Sequence, residues 1–320
     1  MFGGTIKSIF ITGGGGFIAP HLLGCLDPSC FVTLHIRDVG KATKIKPRPG
    51  LNIVSGPLTE REISGKLPSD CDAVIHLAGA VQGADTEAVL DSNVVTTKNV
   101  LDIMEKRGIP KLIFMSTAAV WSDSTGTRLS ELTEANPTTL YGYAKLSAER
   151  LIADSIGQDK ISSAVVLRCN NTYGPGGVQG AVANFIARLL KGLPVQIQGD
   201  GQQLREPLYV ADLIDVILKA FTKDRGLHTF GISGPEAMTI AAMAETLAKV
   251  LGIKLDVDWK PENPDRGRHI IINTGKAQRE LGWSPRIVFE QGCRLYAASI
   301  QSEQTADGRM RATQGSLLTR

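Results

Sequence analysis

A chain of 320 residues that is 42% apolar can build a large core, and it exceeds the usual single-domain range, leaving one large domain or two lobes. A formal charge of +3 gives no electrostatic footprint for nucleic acid, and the longest basic stretch, Lys41 to Arg48, is broken by Pro47. Five scattered cysteines show no C-x-x-C pair or zinc spacing, so no metal is expected and a reduced cytoplasmic setting is; no run is apolar and long enough for a membrane span or a signal peptide.

The predicted elements alternate. Ile6 to Ile11 reads as a first strand and Phe17 to Leu26 as a helix, with Thr12-Gly13-Gly14-Gly15-Gly16 between them. Phe31 to Ile36 is a second strand ending at Arg37-Asp38, and Leu51 to Ser55 a third. Asp72 to Gly79 is a fourth strand running into small residues, followed by one long helix from Asp85 to Lys106, closed by Gly108 and Pro110. Lys111 to Met115 is a fifth strand leading into Ser116-Thr117-Ala118-Ala119-Val120-Trp121. Leu140 to Ser155 is a helix and Ala164 to Leu167 a sixth strand. Such alternation implies an α/β fold with a doubly wound parallel sheet of Rossmann type, with ligands outside the carboxyl ends of its strands. After Tyr173-Gly174-Pro175-Gly176-Gly177 the rhythm loosens, with helices at Val182 to Lys191, Tyr209 to Phe221 and Met238 to Leu251, a last strand at Leu227 to Ile232, and a region ending near Leu295. The expected division is a dinucleotide-binding domain over 1–175 that the chain rejoins at 207–233, a smaller mixed substrate lobe over 176–206 and 234–300, and a polar, flexible tail over 301–320.

Two stretches carry chemistry. The pattern T-G-x-x-G-x-x-A, from Thr12 to Ala19, sits between a strand and a helix. Its glycines allow a tight turn and close approach of a pyrophosphate, which the free N–H groups of the helix start can hold. Alone, such a turn also fits unrelated α/β folds. Tyr141-Gly142-Tyr143-Ala144-Lys145 places Tyr141 and Lys145 four apart on one helix face. A phenol with an ordinary pKa of about 10 is a poor base at neutral pH. The Lys145 ammonium and a positive nicotinamide are expected to favour its phenolate, with the Thr117 hydroxyl orienting the same substrate oxygen. By itself the pair is also an ordinary helix pair; its order after the glycine turn and the Ser-Thr strand end is what favours catalysis.

With these pieces in place the chain resembles a known family, the extended short-chain dehydrogenase/reductases, in the NAD-dependent epimerase/dehydratase group acting on nucleotide sugars. The resemblance covers about residues 5 to 297. It is carried by Thr12 to Ile18, Asp72 to Gly79, Asn93-Val94, Ser116 to Val120, Tyr141 to Lys145, Leu167 to Pro175, Gly199 to Val210 and Arg279 to Trp283. It implies NAD as cofactor, a nucleotide-sugar substrate, and a homodimer formed through the helices around Asp85 to Lys106 and Leu140 to Ser155. It also implies Tyr141 as the acid/base, Thr117 as its hydroxyl partner and Lys145 as the holder of the nicotinamide ribose. Gly13, Gly16, Phe17, Ile18, Arg37, Asp38, Leu58, Leu77, Ala78, Gly79 and Asn93 complete the implied cofactor site, and Asn171, Arg205 and Arg268 fall where the family binds the nucleotide diphosphate.

The departures matter as much. The Asp that usually ends the second strand falls at Arg37, with Asp38 one residue late. An Arg there can grip a 2′-phosphate, which keeps NADP open beside NAD. Gly56-Pro57-Leu58 stands where Gly-Asp-Leu is usual, so a polar contact to adenine is missing. The resembling 4,6-dehydratases carry Asp-Glu after the catalytic Thr, the decarboxylases an acidic residue and the fucose-synthase type a Cys; here there are Ala118 and Ala119, which argues against dehydration. The expectation is an NAD(P)-dependent epimerase, with 4-epimerisation favoured. A ketoreductase or dehydrogenase using NADP(H) is the alternative. A non-catalytic dinucleotide sensor or scaffold is a third class, one expected to have lost the Tyr or the Lys.

Overall fold

Ile, Val, Leu and Phe dominate the strands, and in the first, Ser8 to Thr12, every side chain is buried. Only a parallel sheet covered on both faces accommodates such strands. The computed structural model describes residues 6–38, 40, 42, 45–79, 85–121, 127–261 and 269–302. It contains β1 (Ser8–Thr12), β2 (Phe31–Ile36), β3 (Leu51–Ser55), β4 (Ala73–His76), β5 (Lys111–Thr117), β6 (Ser163–Cys169) and a last sheet strand, Gly226–Ile232. Their spatial order is Gly226–Ile232, β6, β5, β4, β1, β2, β3, and every neighbouring pair is parallel. The chain winds outward from β1 to β3, then restarts at β4 on the other side of β1. The carboxyl ends of β1 and β4, paired at Thr12 and His76, therefore flank the switch point where such folds bind ligands.

One apolar cluster covers the face reached by Ile9, Ile11 and Ile75, and it continues without a break into Phe185, Val195, Met243, Leu247 and Trp283. A second fills the other face around Phe10, Val74, Leu112, Phe114, Ile103 and Ile152. The expected long helix differs in its middle. Asp85 caps its start by accepting from the Ala88 N–H at 2.8 Å, and helix runs over Thr86–Leu90. A π-turn at Asp91–Val95 then widens it before Thr96–Arg107, which ends on left-handed Gly108 at φ +64°. Apolar periodicity does not register the single extra residue that a π-turn inserts.

Beyond β6 the structure is richer than the reading from sequence. Short pairs join Thr172–Tyr173 to Leu208–Tyr209, Leu204–Arg205 to Met238–Thr239, and Val195–Gln198 to Val257–Lys260. Helices at Gly275–Leu281 and over 289–302 were not anticipated, and helix persists through 301–302, where the tail was expected to begin. Tail residues 303–320 lie outside the described residues. Asp212, buried on the Val210–Ala220 helix, accepts from the N–H groups of Arg286 and Ile287 at 3.0 and 2.9 Å and fastens this C-terminal segment to that helix. No helix among the described residues is long and apolar enough to cross a membrane.

Candidate active site

The glycine turn is shaped as its sequence demands. Gly13 has φ +76°, and a Cβ there would lie 2.7 Å from the Ala78 N, so both conformation and space require glycine. A Cβ on Gly14 would strike Leu34 at 2.5 Å. The Ile18–Cys25 helix that follows has no side-chain cap at its start and no acidic residue in its first turn. Its leading N–H groups and positive dipole end thus stand ready for an anion, and the turn fits the pyrophosphate of a dinucleotide. The Pro175 carbonyl receives His21 Nε2 at 2.8 Å, bringing the Gly174–Gly177 loop against the same helix.

A buried polar chain links the switch point to the π-turn. The Ala78 N–H donates to Thr12 Oγ1 at 3.2 Å, and Thr12 Oγ1 lies 2.6 Å from His76 Nδ1. His76 Nε2 is 3.1 Å from Thr97 Oγ1, which donates to the Asn93 carbonyl at 2.6 Å. Because Thr97 spends its proton on Asn93, it accepts from His76, and the ring carries its hydrogen on Nε2 with Nδ1 accepting from Thr12. Burial, with the Lys145 charge second, pulls His76 down to about 3 and keeps it neutral. The Asn93 Nδ2 donates to the Val89 carbonyl at 2.9 Å. A Cβ on Gly79 would meet Asn93 Oδ1 at 2.6 Å and Lys145 Nζ at 3.1 Å, so these three residues converge.

Thr117 ends β5, and its Oγ1 accepts from the Ala119 N–H at 3.2 Å. Tyr141 opens the Leu140–Gly157 helix, whose start Thr139 caps through the Gly142 N–H at 3.1 Å. Gly142 decides the approach: a Cβ there would lie 2.2 Å from the Ala119 carbonyl oxygen. Only a glycine lets the helix press its first turn onto the Thr117 turn. Lys145 is buried; its Nζ donates to the Met115 carbonyl at 3.0 Å and lies 4.7 Å from the Phe114 ring centroid. Burial pulls it down to about 8, with Glu149 opposing. Burial pushes the Tyr141 phenol up to about 12, with the Thr117 hydroxyl working against that.

The remaining expected residues divide. Phe17 and Ile18 lie half-buried at the helix start, and Leu77 and Ala78 line the end of β4. Leu58 is packed in the core beside Val54 and Ile63. Arg37 and Asp38 are exposed past β2, where Asp38 Oδ1 accepts from the Gly40 N–H at 3.0 Å. Asn171 is exposed past β6 and its carbonyl accepts from the Leu208 N–H at 3.0 Å, which draws it toward the segment carrying Arg205. Arg205 is half-buried and its Nη1 donates to the Leu204 carbonyl at 2.7 Å. Arg268 lies outside the described residues. Ala118 packs with Val120, Trp121 and Leu129 in a small core, so only Ala119 stays partly open beside Thr117. Gly142, Ser116, Glu149 and Arg168 went unnoticed as site residues; the i+4 spacing of Glu149 from Lys145 was the available signal.

A family model described as the NAD dependent epimerase/dehydratase family matches residues 9–233. Among curated proteins, UDP-glucose 4-epimerase 4 of Oryza sativa is 26% identical, covering 91% of this chain and 89% of that one. A dTDP-glucose 4,6-dehydratase of Mycolicibacterium smegmatis is 27% identical, covering 89% and 90%. Among solved structures, UDP-glucuronic acid 4-epimerase of Bacillus cereus, in complex with UDP-glucuronic acid and NAD, superposes with a TM-score of 0.85 at 25% identity, covering 92% of this chain and 99% of that one. With the parallel sheet, the uncapped helix behind the glycine turn and the Thr117–Tyr141–Lys145 arrangement in place, the chain belongs to the NAD-dependent epimerase/dehydratase family, enzymes of the extended short-chain dehydrogenase/reductase type.

Proposed function

We propose that this protein is an NAD-dependent nucleotide-sugar 4-epimerase. The observation that carries the reading is Tyr141 at the start of the helix that Gly142 lets press onto the Thr117 turn, at the carboxyl end of β5 and beside Ala119 rather than an acid. A turn with a second acid or base could expel water or a carboxylate; this one offers a single proton carrier.

Gly13 and Gly16 give the pyrophosphate room, and the first N–H groups of the Ile18–Cys25 helix hold it. Asp38 or Arg37 takes the adenosine ribose, and Asn93 and Lys145 take the nicotinamide side. Bound NAD supplies the acceptor and later the donor of a hydride and, while oxidised, a positive charge near Tyr141. In the free protein the Tyr141 phenol stays protonated at neutral pH, so it becomes a base only when that positive charge sits beside it. Thr117 then aligns the sugar hydroxyl, Tyr141 Oη removes its proton, and the carbinol becomes a ketone. The 4-keto sugar turns within the site, and Tyr141 returns the proton as the carbinol re-forms with the opposite configuration. Asn171, Arg205 and Arg268, in or beside the segments 176–206 and 234–300, would meet the diphosphate, for which a planar guanidinium is suited.

Several features support the wider setting. Leu90, Val95, Leu140 and Tyr143 expose apolar surface along the two helices expected to pair in a homodimer. Five free cysteines, four of them buried, suit a reducing cytoplasm. Arg37 favours one second reading, an NADP(H)-dependent ketoreductase. Incubation with UDP-glucose, UDP-glucuronic acid and dTDP-glucose, followed by NMR of the anomeric and C4 protons, tests the proposal. Conversion of one of them to its 4-epimer supports it. Absence of calorimetric binding to any UDP-, dTDP- or GDP-sugar would remove the nucleotide-sugar reading.

A further inference from the structure

Behind Thr117 and Lys145 lies a buried ion cluster that the reaction above leaves unused. Glu149 follows Lys145 by one turn on the Leu140–Gly157 helix and is 7% exposed. Its carboxylate accepts from Ser116 Oγ at 2.5 Å, from Arg168 Nε at 3.2 Å to each oxygen, and from Arg168 Nη2 at 2.7 Å. The Arg168 guanidinium lies 5.0 Å from the Trp121 ring centroid. A pair this deep is poor insurance for stability, because desolvation offsets most of the attraction and an apolar pair would pack as well. Its contacts point to another use. Ser116 immediately precedes Thr117, Trp121 closes the turn that carries Ala119, and Lys145 holds the Met115 carbonyl. Two consecutive residues at the end of β5, Met115 and Ser116, are thereby tied to one face of one helix.

Resting on the epimerase reading, we propose that Glu149 is a positioning residue. Through Ser116 it fixes the strand end that presents Thr117, and its negative charge holds Lys145 in the ammonium form that grips the nicotinamide ribose. The titratable groups on the elements packed here are Tyr141 and Glu149 on the Lys145 helix, His76 on β4, and Arg168 and Cys169 on β6, and of these His76 and Glu149 feel the Lys145 charge. His76 is neutral, and burial pushes the Cys169 thiol far above its ordinary range. Arg168 is matched to Glu149, so Glu149 is the negative charge of the set. Burial pulls Lys145 down to about 8, and Glu149 is the one charge that resists the fall.

The test follows NAD affinity by calorimetry from neutral to alkaline pH, with thermal unfolding in parallel. Wild type should lose affinity as pH rises through about 8, where Lys145 gives up its proton. Glu149→Gln keeps shape but not charge, and its loss should begin roughly one pH unit or more earlier. Glu149→Asp keeps charge but not length, and should lose stability while its pH limb stays near wild type. Since Glu149→Gln strands the Arg168 guanidinium, the double variant with Arg168→Gln is measured beside it and should keep the early limb with recovered stability. If all three variants change only the unfolding temperature and the limb does not move, or if the double variant returns the limb to its wild-type position, Glu149 is structural and the proposal is overturned. Binding of NAD does not require a sugar, so a failed epimerase assay leaves this result readable. A wild type that binds no NAD at all removes both readings.

Discussion

Gly142→Ala is the sharpest test of how the site is built. The added methyl would stand 2.2 Å from the Ala119 carbonyl oxygen and 2.8 Å from Pro137 Cβ, where ordinary contact is 3.4–4 Å. The carbonyl belongs to the turn after β5 and Pro137 to the chain entering the helix, so neither can swing aside as a flexible side chain could. The helix start must retreat by about 1 Å, and Tyr141, one residue earlier, goes with it. A misplacement of about 1 Å costs on the order of 100-fold in turnover, and overpacking of this kind costs about 1–3 kcal/mol of stability. Gly157→Ala is the control: it lies at the far end of the same helix with nothing within 4 Å of its added Cβ. It should leave turnover unchanged and raise stability by a fraction of about 1 kcal/mol. The assay is kcat at saturating nucleotide sugar, with Tm recorded for each variant. Wild-type kcat in Gly142→Ala would refute the idea that this glycine sets the Tyr141–Thr117 distance.

Other consequences follow from the same geometry. His76 is neutral in the fold, with its pKa held near 3 instead of an ordinary 6.5. Below pH 6.5 the unfolded chain takes up a proton that the native one refuses, so this contribution is full above that pH and drains away toward about pH 3. Of the total, roughly 2 kcal/mol goes between pH 6.5 and 5. Denaturant unfolding of wild type and His76→Gln should show the wild type losing about that much more on acidification, and parallel losses would contradict the assignment. Tyr141→Phe should keep fold and NAD binding while turnover drops by about two orders of magnitude or more, measured as kcat; near-normal turnover would take the acid/base role from Tyr141. Arg37→Ala discriminates the cofactors by fluorescence titration. An unchanged NAD affinity with no preference for NADP before or after makes Arg37 a bystander, whereas loss of an initial NADP preference supports the ketoreductase reading.

Much of the fold was legible because parallel strands buried on both faces leave unbroken apolar runs. Phe31 to Ile36 has the same bounds in sequence and structure, and so does the partly buried edge strand Leu51 to Ser55. Gly13 was legible too, since strand, glycines and helix in succession admit few geometries. What escaped was set by contacts between distant segments. The π-turn at Asn93 depends on Thr97 reaching back to its carbonyl and on His76 arriving from β4. The short pairs after β6 are two to four residues long, too brief for any period to show. Nothing near Gly142 in the chain explains it, because its reason is the Ala119 carbonyl, 23 positions away. Lys145 and Tyr141 share a helix face by their spacing, but the Met115 carbonyl that Lys145 also holds comes from β5 and is shown only by the fold.

The central claim is that one sugar carbon gives up a hydride and receives the same one back while Tyr141 handles the proton. The most direct measurement uses the nucleotide sugar that the protein converts, deuterated at C4, with the fate of the label followed by NMR and mass spectrometry and the nicotinamide followed by absorbance. The account predicts a 4-epimer that retains deuterium at C4, with no net accumulation of NADH and no requirement for added reductant. Loss of the label to solvent or to added cofactor, or consumption of NADPH in step with product and without epimer, would contradict it.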